Sequence, residues 1–160
     1  MTQSSIPTID PNLDLVLERT IDAPLALVWS ALTKPEHVVK WFVPAPWTIT
    51  ACEIDLRPGG IFRTVMRSPE GQEFPNDGCF LDIVPQERLV WTDALKRGWR
   101  PSENPFFTAI VTLDTQGDVT RYIARAIHRD PAGKSKHEEM GFHQGWGTCI
   151  DQLNKLVKTL

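Results

Sequence analysis

The chain has 160 residues, of which 41% are hydrophobic and 23% charged, and its formal net charge is -3 at pH 7. This size and composition predict one globular domain with a single core. The small negative charge gives no reason to expect a nucleic acid or an anionic membrane as partner. Apolar runs stay well below the roughly 18 residues that span a bilayer, and the N-terminus lacks a signal-like segment. A cytoplasmic protein without nucleic-acid or membrane partners is therefore expected.

The first half of the chain divides into a polar tail, a strand and two helices. Residues 1–12 are polar and contain two prolines, which predicts a flexible tail before a single domain over residues 13–160. A strand begins at Leu13, and two short helices follow between Pro24 and Phe42, separated by Lys34-Pro35. The region after Trp47 changes to short extended runs separated by turn signals, and it predicts six further strands.

The last 25 residues predict the long helix around which the fold is organised. Apolar residues recur there at steps of three and four. They are Phe142, Trp146, Cys149, Ile150, Leu153, Leu156, Val157 and Leu160. Gly141, Gly145 and Gly147 weaken its first half, since each glycine costs about 1 kcal/mol relative to alanine in a helix. Glycines kept at this cost indicate that a strand or a bound molecule approaches the helix backbone there.

Antiparallel strands beside segregated helices predict an α+β fold in which one sheet face packs against the final helix. A curved sheet that grips one helix leaves a hollow under the less tightly packed part of that helix, and a mostly apolar hollow is typical of a small-molecule site. Residues 139–147 are expected to form its roof. Residues from Ile150 onward are expected to anchor the fold.

Several motifs resemble the activator-of-Hsp90-ATPase-homologue-like family, within the START and birch-pollen-allergen superfamily of helix-grip folds. They are A-P-L-A-L-V-W-S-A-L-T-K-P-E at 23–36, W-F at 41–42, D-L-R-P-G-G-I-F-R at 55–63, P-E-G at 69–71, Gly78 with V-P-Q-E-R-L-V at 84–90, and G-W with following leucines at 145–156. The resemblance implies a seven-stranded curved antiparallel sheet around the C-terminal helix, two short helices after the first strand, and a cavity between helix and sheet.

The same resemblance leaves function open. Relatives bind lipids, sterols, polyketides or hormones, some catalyse reactions, and the namesake stimulates a chaperone ATPase. Binding of a small hydrophobic molecule, lipid-, polyketide- or aromatic-like, is the first hypothesis. An enzyme that acts on such a substrate by acid-base chemistry, and a regulator of an Hsp90-type chaperone, are the alternatives. The protein is expected to be a monomer or a homodimer, without a cofactor.

Candidate ligand-binding residues follow from strand parity and from their place on the helix or in loops. They are Trp41, Phe62, Met66, Trp91, Phe107, Tyr122, His143 and Trp146. Each aromatic side chain could equally fill the core. Arg63 and Arg67 face outward if Phe62 and Met66 face inward, and with reversed parity they would bind anions inside the hollow.

His143 is the sharpest polar candidate, because Glu139 stands four residues earlier and would share its helix face. A surface ion pair is the simpler interpretation of this spacing. His137 and His143 are six residues apart and do not share a face, which argues against a metal site. Cys52, Cys79 and Cys149 are odd in number and widely spaced, so they indicate reduced core residues, and no nucleophile motif is present. No catalytic residue is assigned.

Overall fold

The computed structural model describes residues 6–160. Its strands are β1 (Asp14–Ile21), β2 (Thr48–Ile54), β3 (Ile61–Arg67), β4 (Glu73–Val84), β5 (Arg88–Thr92), β6 (Leu95–Lys96), β7 (Arg100–Pro101), β8 (Thr108–Gln116) and β9 (Val119–Ile127). Its helices are α1 (Leu25–Thr33), α2 (Pro35–Val38), α3 (Pro131–Glu139) and α4 (Phe142–Val157).

Seven strands form one antiparallel sheet in the order β1-β9-β8-β5-β4-β3-β2, with β1 and β2 at its edges. α1 and α2 connect these two edges. Register shifts between Ile49 and Ala51 on β2, and between Phe80 and Asp82 on β4, mark bulges that bend the strands. The curved sheet holds α4 against one face. The predicted α+β helix-grip fold, with seven strands and two short helices after the first, is confirmed.

The C-terminal region is divided into two helices, whereas the sequence predicted one helix from about residue 136. α3 ends at Glu139 and α4 begins at Phe142. Gly141 between them has a φ of 92°, a left-handed conformation that glycine adopts at little cost. The chain therefore turns at Gly141, and Glu139 and His143 do not lie on one continuous helix.

The buried face of α4 forms the centre of the core. Ile150, Leu153 and Val157 on this face are almost completely buried. Ala124 and Ala126 on β9 belong to the same hydrophobic cluster and are fully buried, and their short side chains leave room for the helix. This half of α4 anchors the fold through burial of apolar surface, which contributes about 25 cal/mol per Å².

The segment before β1 makes contacts in its described part. The Arg125 guanidinium donates a hydrogen bond to the Pro7 carbonyl oxygen. The Asp10 amide donates to the Asp14 carboxylate at 2.9 Å. Residues 6–12 thus run beside β1 and β9. The flexible tail over residues 1–12 stays a prediction, and its residues 1–5 lie outside the described residues.

Candidate functional site

A cavity of about 320 Å³ lies between the sheet and the region where α3 meets α4. Its wall is mostly apolar and aromatic. The lining residues are Trp41, Phe42, Phe62, Thr64, Met66, Asn76, Asp77, Gly78, Trp91, Asp93, Phe107, His137, Met140, Gly141, Phe142, Gly145, Trp146 and Cys149. Met140 is 66% exposed, which places it at the rim. The volume is within the range of small-molecule pockets, roughly 300–1,000 Å³.

One end of the cavity is a group of aromatic rings from the α2–β2 connection and the sheet. The ring centroids of Phe42 and Phe62 are 5.5 Å apart, and those of Phe62 and Trp91 are 5.3 Å apart with a T-shaped arrangement. Trp41 packs edge-on against Phe42 and donates its indole N–H to the Ala31 carbonyl oxygen at 2.8 Å. These contacts hold the rings in defined positions, so this end of the wall is preformed.

The loop that carries Trp41 and Phe42 is tied to α4 by one side chain. The Gln152 amide donates to the carbonyl oxygens of Trp41 at 3.0 Å and Val43 at 2.7 Å. Its own oxygen accepts from the Ala45 amide at 2.9 Å. Three hydrogen bonds therefore fix the position of this loop over the cavity relative to the helix.

The other end of the cavity is formed by Phe107 and by residues of α3 and α4. The His137 ring lies 4.8 Å from the Phe107 ring and 5.1 Å from the Phe142 ring, centroid to centroid. Phe142 in turn lies 5.1 Å from Trp146. The Trp146 indole N–H donates to the Tyr122 hydroxyl at 2.8 Å. This end of the wall is thus also aromatic, with one imidazole ring in it.

Gly145 leaves space in the wall. A Cβ atom at Gly145 would meet no atom within 4 Å outside its own helix backbone, and its φ is in the ordinary helical range. Alanine at this position would be favoured by helix propensity by about 1 kcal/mol. The glycine therefore keeps the cavity open on the side of α4.

The Asp93 carboxylate is the most constrained polar group of the wall. It accepts hydrogen bonds from the Phe106 amide at 2.8 and 3.0 Å and from the Phe107 amide at 3.2 Å. Burial raises the pKa of Asp93 more than these hydrogen bonds lower it. Asp77 forms an ion pair with Arg63 at 3.2 Å. The carboxylates give the wall hydrogen-bond acceptors.

Two histidines form a hydrogen-bonded pair behind this end of the cavity. His128 is 3% exposed, and its Nδ1 lies 2.8 Å from the Leu13 carbonyl oxygen. Its Nε2 lies 2.9 Å from Nδ1 of His137. Burial and the neighbouring His128 lower the pKa of His137 to about 4. His137 is therefore neutral at physiological pH.

The sequence of this chain matches the family described as "Activator of Hsp90 ATPase homolog 1-like protein" over residues 22–158. The match covers most of the chain and the whole of the cavity wall. The chain belongs to this family. None of the helices in the described part of this family member is long and apolar enough to cross a membrane.

Solved structures of similar proteins agree with this family assignment. A protein from Nitrosomonas europaea is 52% identical with a TM-score of 0.93, covering 94% of this chain and 97% of its own. A protein from Rhodobacter sphaeroides is 18% identical with a TM-score of 0.82, covering 96% and 97%. An AHSA1-like protein from Aeromonas hydrophila is 18% identical with a TM-score of 0.68, covering 92% and 93%. The last two show a shared fold only. No curated protein matches the chain.

Six of the eight predicted site residues line the cavity in this family member. They are Trp41, Phe62, Met66, Trp91, Phe107 and Trp146. Tyr122 is 1% exposed and lies behind the wall, where its hydroxyl accepts the Trp146 hydrogen bond. The wall contains Phe62 and Met66 but neither Arg63 nor Arg67, so the parity of β3 is the one first expected. That these residues bind a ligand stays a prediction.

His143 lies outside the cavity wall, although the sequence predicted that residues 139–147, which include it, cover the cavity. It is exposed on α4, and its Nε2 lies 3.3 Å from the Val16 carbonyl oxygen on β1. The turn at Gly141 also removes the i, i+4 geometry that would have paired it with Glu139. The imidazole in the wall is that of His137, which the sequence interpretation considered only as a metal ligand and rejected.

Thr64, Asn76 and Asp77 were not among the predicted site residues. Parity along β3 could have indicated Thr64, because it lies between Phe62 and Met66 at a spacing of two. The pairing of Thr64 with Asn76 and of Arg63 with Asp77 is set by the register of β3 and β4, which the sequence does not specify.

The thiol in the wall is a poor nucleophile. Burial raises the pKa of Cys149 to about 12, and burial raises the pKa of Cys52 on β2 to about 11. Cys52, Cys79 and Cys149 are all free. Both shifted thiols are protonated at neutral pH, so Cys149 serves the cavity as an apolar side chain.

We expect acid to destabilise the protein partly through His137. Its pKa falls from 6.5 in the unfolded chain to about 4, so between these values the unfolded state binds more protons, and stability falls as the pH falls. After allowance for solvent screening at a half-buried group, the loss between pH 7 and pH 5 is about 1 kcal/mol, or about 2–4 °C in Tm. Thermal unfolding of the wild type and His137→Phe at both pH values measures it. An equal Tm change in the two proteins would contradict this assignment.

Proposed function

We propose that this protein binds a small, mainly apolar molecule in the cavity between the sheet and the junction of α3 and α4. The observation that carries the proposal is the mostly aromatic cavity of about 320 Å³ between the sheet and the helices, which opens at the rim formed by Met140. Protein interiors contain few voids larger than a water molecule. A preformed apolar pocket of this size with a few convergent polar groups is the usual form of a small-molecule site.

The construction of the wall supports this proposal. The rings of Phe42, Phe62 and Trp91 are held by mutual edge contacts, and Gln152 fixes the loop above them. Gly145 keeps an open position on α4 although alanine would favour the helix. The rings at the aromatic end are already held in place, and the side of the cavity formed by α4 is open. Binding a ligand therefore costs less conformational entropy. The cavity is therefore suited to rigid ring systems or short chains.

Filling the cavity from Gly145 tests the proposal. Because a Cβ there meets open space, Gly145→Phe is expected to place its ring inside the cavity without displacing the helix. N-phenyl-1-naphthylamine, a neutral apolar fluorophore, is the probe. We expect saturable one-to-one binding to the wild type with a rise in fluorescence, and at least about tenfold weaker binding to Gly145→Phe.

The matched control is Asp151→Phe, which adds the same ring at an exposed position of α4. It should bind the probe as the wild type does. Circular dichroism and thermal unfolding check that both variants are folded. Unchanged probe binding by folded Gly145→Phe, or no saturable binding by the wild type, would overturn the proposed cavity function.

A further inference from the structure

The hydrogen bonds of the two histidines assign their protons. The Leu13 carbonyl oxygen can only accept, so Nδ1 of His128 carries a proton and donates to it. The His128 ring is 3% exposed, and an imidazole with its proton on Nδ1 has its lone pair on Nε2. Nε2 of His128 is therefore an acceptor, and Nδ1 of His137 donates to it.

These proton positions leave one acceptor, Nε2 of His137, available to a ligand. With its proton on Nδ1, neutral His137 has a lone pair on Nε2. No residue in the described part of the chain makes a hydrogen bond to that nitrogen, while the ring itself lines the cavity. The Leu13 carbonyl, acting through His128, thus fixes the tautomer in which His137 offers an acceptor to a ligand.

Carboxylate acceptors are also present in the wall, beside the Asn76 amide and the Thr64 hydroxyl, which can both donate and accept. Asp77 and Asp93 contribute carboxylates. Thr64 is 3% exposed and lines the cavity with a hydroxyl that can donate or accept. No lysine or arginine is among the described residues that line the cavity. A ligand carboxylate would therefore lose its hydration without gaining a cation, whereas a ligand hydroxyl finds an acceptor.

We propose that the cavity selects neutral apolar molecules that carry a hydroxyl group, which donates its hydrogen bond to Nε2 of His137, over carboxylates with the same skeleton. This inference rests on the proposed binding function and specifies its ligand class. It assigns His137 as the residue that positions the polar end of the ligand, and the aromatic end of the cavity as the place of the apolar part.

Three naphthalene probes that differ at one position test this selection by isothermal titration calorimetry. 2-Naphthol carries the donor, 2-methoxynaphthalene keeps the oxygen but lacks the donor, and 2-naphthoate carries the charge. We expect 2-naphthol to bind at least about fivefold more tightly than the methyl ether, the usual effect of one neutral hydrogen bond. The carboxylate should bind at least about tenfold more weakly than the alcohol.

His137→Phe removes the acceptor and keeps an aromatic ring against Phe107 and Phe142. In this variant the affinity for 2-naphthol should fall to that for the methyl ether. The matched control His143→Phe makes the same change on the exposed face of α4 and should keep the preference. Equal affinities for alcohol and ether in the wild type, tighter binding of the carboxylate, or a preference that survives His137→Phe would each overturn the inference.

Two further measurements separate this inference from the binding function itself. Equal binding of the three probes that is lost in Gly145→Phe overturns the selection and leaves the cavity function standing; binding that persists in Gly145→Phe overturns both. If His137→Phe does not fold, ¹⁵N NMR of the wild-type imidazoles decides. An unprotonated His137 Nε2 whose resonance shifts on addition of 2-naphthol supports the inference, and a protonated Nε2 overturns it.

Discussion

Gly60→Ala is expected to destabilise the protein by more than about 3 kcal/mol, which corresponds to a fall of about 6–12 °C in Tm. A Cβ at Gly60 would lie 2.0 Å from the backbone carbonyl oxygen of Asp55 and 2.9 Å from that of Arg57. Neither oxygen belongs to a flexible side chain. Carbon atoms do not approach other heavy atoms this closely, so the backbone of the turn before β3 must move.

That turn cannot move without breaking hydrogen bonds on both sides. The Asp55 amide donates to the Ile61 carbonyl oxygen at 2.9 Å, and the Phe80 amide donates to the Gly60 carbonyl oxygen at 2.9 Å. Phe80 stacks on Phe62, which lines the cavity, so the strain would also reach the site. Urea unfolding followed by circular dichroism measures the free energy of unfolding of the variant.

Gly145→Ala is the matched control for Gly60→Ala. Its new Cβ meets open space in a regular helix, so the variant should be as stable as the wild type or more stable by up to about 1 kcal/mol. If the free energy of unfolding of Gly60→Ala lies within about 1 kcal/mol of the wild-type value, the turn adapts, and the expected clash with the Asp55 and Arg57 carbonyl oxygens is contradicted.

Asp93→Leu is expected to cost about 2–4 kcal/mol and to loosen the segment that leads into β8. The carboxylate accepts from the amides of Phe106 and Phe107, and leucine would leave both donors without this partner. Each donor left unsatisfied in a partly buried site costs about 1–3 kcal/mol. Amide hydrogen exchange at Phe106 and Phe107 should accelerate, and urea unfolding should show the loss of stability. Unchanged exchange at these amides would rule out the proposed role of Asp93.

Asp93→Asn separates the hydrogen bonds from the charge. Its carbonyl oxygen can still accept, so the loss should stay below about 1 kcal/mol. Burial raises the pKa of Asp93, so the folded protein holds this proton more tightly than the unfolded chain does. The resulting stabilisation is present in acid and is lost as the pH rises above about 4. Asp93→Asn should lack this dependence, which thermal unfolding between pH 3 and pH 7 tests.

The fold could be predicted from the sequence because the signals for strands, turns and helices are local. Turn residues such as Pro58-Gly59-Gly60 separate short runs with a period of two, and the apolar steps from Phe142 to Val157 have the period of a helix. Alternation on β3 placed Phe62 and Met66 on one face and Arg63 and Arg67 on the other, but it left open which face lines the cavity. The period of a strand groups its side chains by face, whereas the choice of face depends on packing against other elements.

The position of the polar site residues depended on contacts between distant elements. His137 was rejected as a ligand because only its spacing to His143 could be considered. Its actual partner is His128, which lies at the end of β9 and is itself fixed by the Leu13 carbonyl oxygen, 115 positions away along the chain. A single glycine conformation at Gly141 then turns His143 away from Glu139.

The order of strands and helices could be predicted from the sequence, since it follows from hydrophobic periodicity and turn chemistry within short windows. The family resemblance rested on motifs between residues 23 and 156. The folded chain was needed to identify the imidazole that lines the cavity, the carboxylate held by backbone amides, and the open space beside the helix. These features depend on strand register and on packing between elements far apart in the chain, which no local pattern encodes.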